Sequence, residues 1–202
     1  MNFLAHIFLS QHNEDWMIGN LIADFISNRD LDGLNVGVRE GVLMHRQIDT
    51  FTDSHPVVKK SVRRLSSDFY RYSPVVSDIF YDYLLIRNWQ NYTAHDFDEF
   101  CHWAYEIMHQ RMDEIPPRLK ENLPQMIAHN WLKDYGTAEG LQFTFDRFAK
   151  RVTFEADFSN AAEILIQKVH DLNEDFNQFF PDLVDYVHRD LKDMTAGTDI
   201  LL

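Results

Sequence analysis

Helical periodicity recurs along nearly the whole chain, and this limits it to an α-rich fold. The apolar spacing predicts helices over 14–27, 36–54, 56–71, 74–91, 96–114, 118–134, 137–149 and 159–190. Chain breakers fall between them: Pro56 follows His55, Pro74 follows Ser73, Pro116–Pro117 interrupts the middle, and Gly136–Thr137 separates two later helices. Asp96, three residues before Glu99, has the pattern of a capping box. With only 7 Gly and 6 Pro, a fold of many tight hairpins is disfavoured. The 202 residues, 45% of them apolar, suffice for one well-buried core without a linker or repeat. The expectation is an all-α fold, a single helical domain over 1–192 followed by a weakly patterned tail, 193–202.

Composition narrows the setting. No apolar run approaches the roughly 20 residues of a bilayer span. The apolar start, Met1 to Ser10, has no basic leader and is interrupted by His6, unlike a signal peptide. The single Cys101 cannot form an intrachain disulfide. These features predict a cytoplasmic protein with no membrane partner. A net charge of −13 argues against nucleic-acid binding. Residues 39–90 nevertheless carry eight basic against six acidic side chains, and Lys59, Lys60, Arg63, Arg64 and Arg71 form a local basic run. Such a run is either a solvated helix face or a contact for one specific anionic partner.

The chemistry concentrates at 44–56. His45, Asp49 and Asp53 lie at i, i+4 and i+8, each step turning only about 40°, so they share one helix face. The first pair has the spacing by which one helix gives two ligands to a metal. His6, Asp24, Asp78 and Asp82 also sit in apolar surroundings. A charged Asp buried alone costs several kcal/mol, so each needs a cation, a hydrogen-bond partner or solvent. One divalent ion would satisfy His6, Asp24, His45, Asp49, Asp53 and Asp82 together or in part. Mixed imidazole and carboxylate ligands suit Mn, Fe or Zn, and Mg if oxygen dominates.

Plainer readings account for the same residues. Asp49 can pair with Arg46, Asp53 can cap the helix opening at Pro56, His6 can be a hydrogen-bonded core histidine, and His55 can be a turn residue. The doublets His95–Asp96 and His170–Asp171 carry little weight, the first because Asp96 caps a helix and the second because it sits in an acid-rich helix. No nucleophile elbow, Walker loop or dinucleotide fingerprint occurs.

The segments Asn2–His6, Gly19–Phe25, Met44–Pro56, Tyr81–Trp89, Trp131–Tyr135 and Phe176–Leu183 resemble, in order and through nearly the whole chain, the acyl carrier protein phosphodiesterase family. The resemblance implies an all-helical fold distantly similar to HD-type metal phosphohydrolases. It implies hydrolysis of holo-acyl carrier protein to the apo form and 4′-phosphopantetheine with a divalent metal, typically Mn2+, with Mg2+ or Fe2+ as alternatives. Carried over by position, Asp24, His45, Asp49, Asp53 and Asp82 are metal-site residues with His6 nearby. Arg46 would hold a phosphate oxygen, and His55 or His6 would protonate the serine leaving group; Asp24, His45, Arg46, Asp49 and His55 thus form the expected catalytic set. Lys59, Lys60, Arg63, Arg64 and Arg71 would receive the acidic carrier protein. Two other functions compete: hydrolysis of a nucleotide or other small phosphodiester at the same site, and carrier-protein binding without chemistry.

Overall fold

Gly19 and Gly41 bring two helices backbone to backbone in the computed structural model, which describes residues 1–154 and 156–196. A Cβ on Gly41 would lie 2.5 Å from the Trp16 carbonyl oxygen, and one on Gly19 would overlap that of Val38. Only glycine permits this approach of α2 (Glu14–Ile22) to α3 (Val36–Ser54). In front of α2 lies α1 (Phe3–Leu9), and α3 turns at His55 into α4 (Pro56–Phe69). There follow α5 (Ser73–Arg87), α6 (Trp89–Tyr92), α7 (Phe97–Gln110), α8 (Pro117–Lys120), α9 (Leu123–Ala128), α10 (Trp131–Asp134), α11 (Ala138–Ala149), α12 (Ala161–Gln167) and α13 (Val169–Ala196). No strand occurs among the described residues. The fold is all-α, a single helical domain.

Most predicted helices are present with shifted ends. The side chains of Asn13, Asn35, Asp96 and Thr137 cap the starts of α2, α3, α7 and α11. The stretch 118–134 is three short helices, and 159–190 divides at Lys168. Four residues of the expected tail, 193–196, continue α13, and 197–202 lie outside the described residues. Helix α1 was not foreseen. Leu4, Ala5, His6, Ile7 and Leu9 are all buried, so its seven residues offer no polar face from which a helical period can be read.

α13 closes the core. Phe176, Phe179 and Phe180 are fully buried, with Phe176 edge-on to Tyr81 of α5 at 5.3 Å between ring centroids. Burying each such ring contributes about 1.5–3 kcal/mol. No helix among the described residues is long and apolar enough to cross a membrane.

Candidate metal centre

Helix α1 delivers His6 and α3 delivers His45 and Asp49 to one point. The two imidazoles stack, centroids 3.8 Å apart and planes 10° from parallel. His45 Nε2 is 3.2 Å from Asp49 Oδ2, and His6 Nε2 is 3.2 Å from Asp49 Oδ1. The 3-10 turn Ala23–Phe25 that ends α2 aims Asp24 at the same place, its Oδ1 3.5 Å from His45 Nε2. One donor atom each from His6, His45 and Asp49 lies within 4.8 Å of the others. The histidines are buried, Asp49 is half-buried and Asp24 is open to solvent, so the cluster is a pit with an acidic mouth.

The charges respond to this crowding. Burial, helped by neighbouring His45, lowers the His6 pKa to about 4, so the ring is neutral. Burial opposes charge on His45 too, but hydrogen bonds to Asp24 and Asp49 outweigh it and raise its pKa to about 9. Asp49 is driven well below the usual carboxylate range: burial opposes this, and its contacts with His45, His6 and the Met1 ammonium overcome burial. Asp24 is lowered mainly by its hydrogen bond to His45. Two observations test whether a metal suits this set. The buried His6 Nε2 lacks an aligned hydrogen bond despite its nearness to Asp49. His45 Nδ1 lies 2.9 Å from the Asn20 carbonyl oxygen, to which it donates, leaving Nε2 to face the carboxylates. Two imidazole nitrogens and a carboxylate converging in this way fit a divalent transition ion.

The model of the acyl carrier protein phosphodiesterase family matches residues 1–183. The chain belongs to this family. Curated relatives bearing the family's name include a Photorhabdus laumondii protein, 28% identical over 90% of this chain and 92% of its own length. One from Yersinia pestis is 26% identical over 91% of this chain and 96% of its own length. One from Escherichia coli is 31% identical over 75% and 79% respectively. No solved structure matches the chain.

Of the family-like segments, Asn2–His6, Gly19–Phe25 and Met44–Pro56 build the pit. The other expected site residues lie around it or away from it. Asp82 is fully buried and accepts from the Leu4 N–H at 2.9 Å and the Ala5 N–H at 3.1 Å. It secures the start of α1 instead of joining the cluster of His6, His45 and Asp49. Asp53 is exposed near the end of α3, and the cap of α4 is the His55 ring, whose Nδ1 accepts from Val57 N–H at 3.3 Å. His55 Nε2 turns to Asp182 of α13 at 3.4 Å, so the structure joins this ring to α13 and not to His45. Arg46 does not pair with Asp49; it donates to Asn28 Oδ1 at 2.7 Å and to the Ile26 carbonyl at 3.0 Å, fixing the loop after Asp24.

The basic run divides. Lys60 and Arg64 turn inward to the fully buried Asp175, at 2.7 and 2.8 Å. Lys59 and Arg63 remain exposed and have no acidic partner among the described residues, while Arg71 lies over the Phe154 ring at 4.0 Å.

Two contributors stand outside the site set expected from the sequence. Asp78, one turn before Asp82, is 3.3 Å from the buried Met1 ammonium, which is equally 3.3 Å from Asp49. Burial, with Asp49 and Asp53 nearby, raises the Asp78 pKa against the pull of that ammonium. Asn20 touches both imidazoles. Its signal was present as an amide on the apolar face of Gly19–Phe25.

Proposed function

We propose that this protein is a cytoplasmic, divalent-metal-dependent phosphodiesterase that hydrolyses holo-acyl carrier protein to apo-acyl carrier protein and 4′-phosphopantetheine. The observation that carries the reading is the convergence of His6 Nε2, His45 Nε2 and Asp49 at the foot of an open pit, in a chain whose curated relatives are named for this reaction. His6, His45 and Asp49 hold the ion, with Asp24 beside them at the mouth; Mn2+ suits this donor set, and Mg2+ or Fe2+ are alternatives. When bound, the ion neutralises charge on the phosphodiester and makes water a better nucleophile.

The chain's own residues supply the remainder. The acidic mouth is reached from solvent, and Asp24, held as a carboxylate, accepts a hydrogen bond from the attacking water. Arg46 keeps that carboxylate in place by tying down the loop behind it. The water oxygen bonds to phosphorus and releases a proton to solvent as the bond from phosphorus to the serine oxygen breaks. The leaving oxygen takes its proton from solvent, since His6 is buried and neutral and His55 is engaged with α13. Lys59, Arg63 and Arg71 offset the net charge of −13 locally, so that an acidic carrier protein can approach.

The deciding experiment is mass spectrometry of holo-acyl carrier protein incubated with this protein and Mn2+ or a chelator. Metal-dependent loss of the phosphopantetheine mass is the expected result. An intact carrier protein beside a folded enzyme would reject the reading.

A further inference from the structure

The Asn20 side chain is 98% buried beside the pit, and the proposed chemistry leaves it no part. Its amide nitrogen donates to the Trp16 carbonyl at 3.1 Å and to the Ser10 hydroxyl at 3.2 Å. A backbone carbonyl can only accept, so the nitrogen must face Trp16 and the oxygen must face His6. Ser10 agrees with this assignment: it donates its own hydrogen to the His6 carbonyl at 2.9 Å, which leaves its oxygen to accept. Asn20 Oδ1 therefore meets His6 Nδ1 at 3.3 Å, and an amide oxygen cannot donate. That contact is a hydrogen bond only with the hydrogen on His6 Nδ1, and His6 Nε2, although 3.2 Å from Asp49 Oδ1, has no aligned hydrogen bond to draw it away. The main chain of the same residue repeats the arrangement, since the Asn20 carbonyl faces His45 Nδ1 at 2.9 Å.

We infer that Asn20 is a positioning residue that holds His6 by its side chain and His45 by its main chain, each with a hydrogen on Nδ1, so that both Nε2 atoms are presented to one divalent ion. The inference rests on reading the pit as a metal centre. A neutral imidazole otherwise distributes its hydrogen over both nitrogens, and each ring carrying it on Nε2 cannot coordinate through that atom. The buried amide is satisfied at Trp16, Ser10 and His6, as a polar group on an apolar helix must be.

The test uses the full chain as wild type, Asn20→Leu and Asn20→Asp, with two readings. Free Mn2+ is followed by electron paramagnetic resonance during titration, and the ring nitrogens of the metal-free protein are read by long-range 1H–15N correlation. Wild-type His6 is expected to carry its hydrogen on Nδ1. Asn20→Leu is expected to weaken Mn2+ binding by about tenfold or more and to move His6 toward the Nε2–H form, while His45, held by the main chain, keeps Nδ1–H. Asn20→Asp retains an acceptor toward His6 and is expected to retain its tautomer. A purely structural role would lower the melting temperature and leave the His6 signature unchanged.

A wild-type His6 with its hydrogen on Nε2 overturns the inference without any variant, even if Asn20→Leu fails to fold. Unchanged Mn2+ affinity in folded Asn20→Leu overturns it as well. If the wild type binds no Mn2+, the metal-centre reading falls and takes the inference with it. If it binds Mn2+ with the expected tautomer and leaves carrier protein intact, the substrate assignment alone is lost.

Discussion

His6 and His45 lie face to face, 3.8 Å between ring centroids, with Asp49 bridging their Nε2 atoms at 3.2 Å to each. Two imidazoles this close resist carrying charge together, and the carboxylates decide which one does. Asp24 and Asp49 both reach His45, whereas His6 meets Asp49 alone and is more deeply buried. The metal-free pit therefore keeps the extra proton on His45 at neutral pH and leaves His6 a neutral imidazole.

A metal must displace that proton. Its affinity should rise with pH up to about 9, where His45 loses the proton unaided, and should level off above it. Between pH 6 and 8 the slope should approach about tenfold per unit, with one proton released per ion. Mn2+ titrations across this range, in buffers of different ionisation enthalpy, measure both quantities. Affinity independent of pH would mean that His45 is not a ligand.

The two carboxylates of α5 have separable roles. Asp82→Ala strips two buried N–H groups of α1 of their acceptor, which should cost about 2–4 kcal/mol in urea denaturation with chelator present. Asp82→Asn should keep the Mn2+ stoichiometry that Asp49→Asn should abolish. Burial raises the Asp82 pKa to about 7, despite the two amides, from an ordinary value near 3.8. The folded state thus binds the proton more tightly than the unfolded one. Its contribution to stability is complete below about pH 4 and is lost as pH rises through 7, and Asp82→Asn should remove that slope.

Adjacent charges on α4 should behave in opposite ways. Arg64→Ala removes one of two cations from the fully buried Asp175 and should cost about 2 kcal/mol; removing Lys60 as well should approach about 3–5 kcal/mol. The pair Lys59→Glu and Arg63→Glu, on exposed side chains, should change stability by less than about 0.5 kcal/mol. It should instead lower kcat/KM on carrier protein by about tenfold at low salt, with the deficit shrinking as salt is added. Denaturation curves and kinetics over a salt series separate the two classes. Equal kinetic losses from both pairs, with stability intact, would refute the division.

These contrasts mark how far the sequence could be read. Helical content was legible because most helices keep a polar face, and α1 was hidden because it has none. The His45–Asp49 pair followed from spacing within one helix. The choice between Asp78 and Asp82, one helical turn apart, depends on where the start of α1 docks, which lies far away in sequence. The same holds for Lys59 and Lys60. Neighbours on a helix point about 100° apart, and only the position of α13 determines which one meets Asp175.

The contact of α2 with α3 tests whether the pit depends on helix spacing. In an isolated helix Gly41→Ala should add about 1 kcal/mol of stability through propensity alone. Here the added Cβ would press on the Trp16 carbonyl at 2.5 Å, a backbone atom that cannot swing aside. The helices must separate, and α2 would carry Asn20 and Asp24 away from His45. Gly41→Ala should therefore destabilise the protein by about 1–3 kcal/mol, as overpacking does, and should weaken Mn2+ binding in the fraction that remains folded. Thermal melting and Mn2+ titration of the same sample read both effects. A variant more stable than wild type with unchanged affinity would show that the pit tolerates a wider spacing, and that glycine at this position serves neither the packing nor the ion.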